Sequence, residues 1–110
     1  MFSYYYVLTD AGEPERTDDV LVWSEWFERA TRDRTRIVAQ DLDEQPGAPD
    51  VLVSTVFLGL DHAFDGGTPV LWETMILGGP EDGYQRRYTS RQAAIDGHAA
   101  ACRIARRGKP

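Results

Sequence analysis

Two histidines, His62 and His98, and two acidic side chains set against apolar runs, Asp61 and Glu73, are the groups of this 110-residue chain whose types could do chemistry. Asp61 and His62 follow the run of residues 51–60, and Glu73 is flanked by Val70, Leu71, Trp72, Met75, Ile76 and Leu77. A histidine beside a carboxylate can be a general base, half of a metal-ligand pair, or an ordinary hydrogen-bonded pair. A carboxylate buried among such neighbours needs a partner or a shifted pKa, and Arg87, Arg36 or His98 could supply one. His98 stands next to Gly97 on an apolar helical stripe, where packing of the helix on a sheet accounts for it adequately and a ligand is the alternative. Convergence of His62, Glu73 and His98 would create a weakly specific divalent-cation set, since no HExxH and no paired CxxC accompanies them. The candidate polar pocket is therefore Asp61, His62, Glu73, Arg87 and His98. No cofactor is expected, and no catalytic residue is assigned.

Whether these residues meet depends on the elements that carry them. Residues 51–62 read as a long strand with apolar side chains on both faces, which predicts a central strand covered on both sides. Asp65, Gly66 and Gly67 allow a reversal into a partner strand over 70–77. With Gly66 and Gly67 at the centre of the turn, His62 faces Leu71 and Leu60 faces Glu73, so His62 and Glu73 become diagonal neighbours. A slip of one residue puts Asp61 in place of His62. Thr89 and Gln92 have the form of a capping box for a helix whose stripe is Ala94, Ile95, His98, Ala101, Cys102 and Ala105, with Arg103, Arg106 and Arg107 suited to its C-terminal dipole. Hairpin and helix together, residues 51–107, form the structural centre.

Upstream, residues 2–9 read as a first strand ended by Asp10, Gly12 and Pro14. Asp18 or Asp19 can cap a helix whose inner face is Val20, Trp23, Trp26, Phe27 and Ala30. Residues 34–42 form a strand, and 43–50, with Pro46, Gly47 and Pro49, a loop expected to be mobile. The order is strand, helix, strand, strand, strand, helix, with an optional edge strand over 85–88. That order predicts a single α+β domain over residues 1–110, an antiparallel sheet of three to five strands with two helices.

Composition narrows the function classes. A net charge of −6, from 18 acidic and 12 basic residues, disfavours binding to nucleic-acid backbones. Apart from Lys109 every basic residue is arginine, which a GC-rich genome explains. Cys102 is the only cysteine, in keeping with a reducing compartment. No run approaches the roughly 20 apolar residues of a membrane span, and the N-terminus has no signal-peptide pattern. A cytoplasmic location is expected, the host's if the chain is phage-encoded.

The phrase of residues 53–62 (VSTVFLGLDH), then Leu71-Trp72-Glu73-Thr74-Met75, Arg87-Tyr88-Thr89, Ala94 and Gly97-His98, resembles small uncharacterised proteins of bacteriophages and prophages. The likeness runs over residues 23–102, and it leaves the tyrosine-rich start and the 43–50 loop outside the shared pattern. It implies a phage setting and no particular activity. Three functions follow as expectations. The first is a non-enzymatic accessory protein that binds a host protein or a small ligand and modulates host physiology or defence. The second is a small metal-assisted hydrolase or nuclease built on His62, Glu73 and His98, and the third an acidic mimic of DNA, which scattered acids among the arginines disfavour. An exposed edge strand or surplus apolar surface would favour a homodimer.

Overall fold

Side chains alternate across a strand and recur every 3.6 residues on a helix, and these two periods decide what packs on what here. Along β4 (Val51–Phe57) the odd positions Val51, Val53, Thr55 and Phe57 are buried and the even positions half-buried. That is a strand with one covered face. The cover is α2 (Arg91–Arg107), which turns Ala94, His98, Ala101 and Cys102 inward. The computed structural model describes residues 4–63 and 66–107; the expected strand residues Phe2 and Ser3 and the turn residue Asp65 lie outside them.

The protein is α+β. β1 (Tyr5–Leu8) and β2 (Pro14–Thr17) form an antiparallel pair, followed by α1 (Val20–Arg32). β3 (Ile37–Asp43), β4, β5 (Trp72–Leu77) and β6 (Gln85–Tyr88) then form a four-stranded antiparallel sheet in that spatial order, and α2 closes the chain. Two strands extend the expected order. One is the edge strand at 85–88. The other is β2, which begins at Pro14, one of the residues expected to end the first strand; Pro14 is tolerated because this two-stranded pair leaves its missing donor on an edge.

Asp19 caps α1, its Oδ1 accepting from the backbone N–H groups of Leu21 and Val22. Trp23, Trp26, Phe27 and Ala30 turn inward, whereas Val20, expected with them, is exposed. α2 is capped by Ser90, one position after the expected Thr89: the Ser90 hydroxyl accepts from Ala93 N–H, and Gln92 bonds Asp96 instead of closing a capping box. Residues 44–50 connect β3 to β4 as a closed loop, with Gln45 N–H donating to Asp50 and Ala48 N–H to the Gln45 carbonyl.

The molecule measures 51 × 29 × 21 Å, and its core has two lobes. Val51, Val53, Ile76, Ala101 and Cys102 fill one, and Phe57, Leu71, Trp72, Tyr88 and Ala94 the other, where Tyr6, Leu8 and Trp26 join them. An aromatic chain links α1 to the sheet: Trp23 on Phe27, Phe27 on Trp26, Trp26 on Phe57 and Phe57 on Trp72, with centroids 4.8 to 6.3 Å apart. Neither helix covers the other face of the sheet, so the expectation of a strand covered on both sides does not hold. There Leu42, 58 % exposed, Leu52 and Leu77, 44 % exposed, stand in one cross-strand row. No helix among the described residues is long and apolar enough to cross a membrane.

Candidate functional site

The sheet separates the residues that the sequence groups together. Glu73 faces Val56 on β4 and Arg87 on β6, on the side away from α2. Its Oε2 accepts from Arg87 Nε at 2.9 Å and from Gln85 Nε2 at 2.5 Å. Arg87 is thus the partner that Glu73 requires, and Arg36 is engaged elsewhere, donating to the Phe57 carbonyl and standing over the Phe27 ring. His98 lies on the opposite face, because Thr55 and Thr74, which it neighbours, alternate with Val56 and Glu73 along their strands.

His62 does not reach Glu73 either. β4 ends at Phe57, and Gly59, with φ of +79°, turns the chain out of the sheet. The next residues pair with β1: Tyr6 N–H donates to the Gly59 carbonyl, Asp61 N–H donates to the Tyr4 carbonyl, and Leu60 bridges Tyr5. A side chain at 59 would stand 3.1 Å from the Phe27 ring. This excursion takes up residues that an uninterrupted hairpin would have placed opposite β5, so Val56, not Leu60, meets Glu73. Asp61 is buried as a loop clamp, its Oδ1 accepting from Ala63 N–H and Val70 N–H. His62 Nδ1 donates to the Leu60 carbonyl at 2.9 Å. The expected five-residue pocket therefore resolves into a Glu73–Arg87 pair, a loop clamp at Asp61 and His62, and His98 on the other face. The cation set of His62, Glu73 and His98 is not assembled.

What His98 meets is a different polar seam, running between α2 and the sheet. Its Nε2 lies 2.6 Å from Asp41 Oδ2, and its Nδ1 2.7 Å from Thr55 Oγ1, which is in turn 2.5 Å from Thr74 Oγ1. Cys102, one helical turn along α2, donates to the same Asp41 oxygen at 3.5 Å. An ionised carboxylate only accepts, so the proton of a neutral His98 belongs on Nε2; Nδ1 then accepts from Thr55, which accepts from Thr74. The two buried hydroxyls can reverse direction together and serve the other tautomer.

The seam sets the state of its members. The hydrogen bond from His98, and secondarily that from Cys102, lowers the Asp41 pKa below the usual carboxylate range. A lowered folded value contributes stability above the unfolded carboxyl pKa and loses it as pH falls through the folded one. With the Asp41 side chain 60 % exposed, solvent screening keeps that contribution small. Burial, then the bond to Asp41, raises the Cys102 pKa, so the thiol is protonated at neutral pH. Cys102 is expected to react with iodoacetamide at pH 7.5 at least ~10-fold more slowly in the folded than in the urea-unfolded protein; equal rates would show that the thiol is neither buried nor held by Asp41.

Because Cys102 bonds Asp41 and not an imidazole, the seam has no activated nucleophile of the thiol–imidazole kind. Beside it opens a cleft of about 320 Å³, floored by Val51, Val53 and Ala105 and edged by Asp41, Asp43, Cys102 and Arg106. Of the seam residues only His98 is singled out by the sequence. Cys102 was legible in principle, since a histidine and a cysteine four positions apart share a helix face; Asp41, exposed on a distant strand, carries no local signal. No family model, no curated protein and no solved structure matches the chain.

Proposed function

We propose that the protein is a non-enzymatic accessory protein of the phage type, binding a small ligand in the cleft between the β3–β4 end of the sheet and the last turns of α2. The observation that carries this reading is the cleft itself. Its volume of about 320 Å³ falls within the range of small-molecule sites, which run from about 300 to 1,000 Å³ and combine an apolar lining with a few placed polar groups. Val51, Val53 and Ala105 supply an apolar floor, and Asp41, Asp43, Cys102 and Arg106 a polar side that makes up the larger part of the lining. The hydrogen-bonded Asp41–His98–Thr55–Thr74 chain ties the polar edge to the core, which holds Asp41 against α2 although it is exposed. The phage resemblance supports the biological half of the reading, an effect on host physiology through the bound ligand.

A fragment screen followed by methyl NMR tests it. Fragments that bind are expected to shift the Val51, Val53 and Ala105 methyl signals saturably, and Ala105→Trp, which fills the cleft, is expected to abolish the shifts in a protein that stays folded. A second, more open groove of about 500 Å³ lies along α1 beside Trp23, Phe27 and Thr31, and binding confined to it would contradict the assignment.

A further inference from the structure

Three chemically different donors of the seam stand together: a carboxylate oxygen of Asp41, an imidazole nitrogen of His98 and the sulfur of Cys102, all within 4.8 Å of one another. We propose that these three side chains form a binding site for a thiophilic divalent cation of the Zn²⁺ class. The inference rests on the reading of the cleft as the ligand site and gives that ligand a chemistry.

The donor set selects the ion class. Thiolate and imidazole suit Zn²⁺ and its neighbours, whereas Mg²⁺ and Ca²⁺ take oxygen. Three protein donors with one side open is the arrangement of zinc sites that keep a position for water or an exogenous ligand. The open side here is the cleft, since Asp41 and Cys102 both line it. His98 and Cys102 are one turn apart on the rigid, inward face of α2, so two donors are placed by the helix alone.

One donor pair already fits, one must open, and the His98–Cys102 pair, set only to within 4.8 Å, must settle to the same spacing. Zinc bonds of about 2.0–2.3 Å at tetrahedral angles put donor atoms about 3.3–3.6 Å from one another. The Asp41–Cys102 separation of 3.5 Å already meets this. The Asp41–His98 contact of 2.6 Å is a hydrogen bond that must open by about 0.7 Å to admit an ion, and the ion replaces the two hydrogen bonds that hold Asp41 against α2. Coordination through Nε2 requires the imidazole proton to stand on Nδ1, from which Thr55 Oγ1 accepts a hydrogen bond while donating one to Thr74 Oγ1. A histidine ligand fixed through its second nitrogen is the outer-shell feature that metal sites share. The Cys102 proton leaves to solvent as the thiolate takes the ion.

The test is titration of the full, reduced protein with Zn²⁺ against a chromophoric chelator, together with Co²⁺ spectra. One equivalent is expected to bind, and the Co²⁺ form to show a thiolate-to-cobalt charge-transfer band. Asp41→Asn, at an exposed position that leaves the fold intact, and Cys102→Ser are expected to weaken Zn²⁺ binding by more than the roughly 10–100-fold that outer-shell changes bring, and Thr55→Val by an amount within that range. His62→Gln should change nothing. Binding equal in the wild-type, Asp41→Asn and Cys102→Ser proteins, or a Co²⁺ spectrum without the thiolate band, would overturn the site. Fragment-induced shifts at Val53 and Ala105 without tight Zn²⁺ binding would sink this inference and leave the small-ligand reading standing; the absence of both would remove both.

Discussion

Phe57→Ala is expected to destabilise the protein by about 4 kcal/mol, the range for emptying a buried aromatic site. That is a large part of the roughly 5–15 kcal/mol available to a small domain, and corresponds to a fall in Tm of roughly 20 °C. Phe57 is fully buried at the end of β4, with Trp26 edge-on at 5.8 Å on one side and Trp72 at 5.4 Å on the other. These contacts fasten α1 and the β1–β2 pair to the four-stranded sheet. Amide exchange is therefore expected to accelerate in α1 as well as in β4 and β5. Acceleration confined to α1, with the sheet unchanged in stability, would show that the ring is not the fastening between the two parts.

Gly97→Ala is expected to cost about 2 kcal/mol, although alanine is the better helix former by about 1 kcal/mol. The reason is Tyr88. A Cβ at position 97 would stand 2.2 Å from its hydroxyl oxygen and 2.3 Å from the adjoining ring carbons, so ring or helix must shift by more than an ångström. The ring is held in the core with Phe57, Trp72 and Ala94, which leaves it no easy exit, and its buried hydroxyl has no hydrogen-bond partner among the described residues. Urea unfolding of Gly97→Ala, Tyr88→Ala and the double variant forms the test: the cost of the alanine at 97 should vanish or reverse sign when the tyrosine ring is absent. An equal cost in both backgrounds would place the effect elsewhere.

Gly97 also shows what the sequence can reveal. Glycine inside an apolar helical stripe announces a close approach, and the partner is the Tyr88 ring. Helical and strand periods likewise locate α1, β4, β5 and α2 to within a few residues, and the burial of Glu73 calls for a partner, which among the three candidates Arg87, Arg36 and His98 proves to be Arg87. The register fails for a specific reason. Nothing in the phrase Leu58-Gly59-Leu60 distinguishes a continuing strand from a glycine at positive φ that hands the chain over to β1, and that choice decides where His62 ends up. The one-sided cover of β4 is hidden too, because Leu52, Val56 and Leu58 are apolar whether or not anything packs on them. The seam joins Asp41 to His98 across 57 positions, a contact that only the placement of α2 over β3 and β4 creates.

His98 is the pivot of the proposed ligand site under α2, and the tautomer of its ring tests that role most directly. Long-range ¹H–¹⁵N correlation on the reduced protein is expected to show the proton on Nε2 without metal, with Nδ1 accepting from Thr55. One equivalent of Zn²⁺ should move the proton to Nδ1 and shift Nε2 as a coordinated nitrogen. His98 nitrogens unmoved at saturating Zn²⁺, with any change confined to His62, would contradict it.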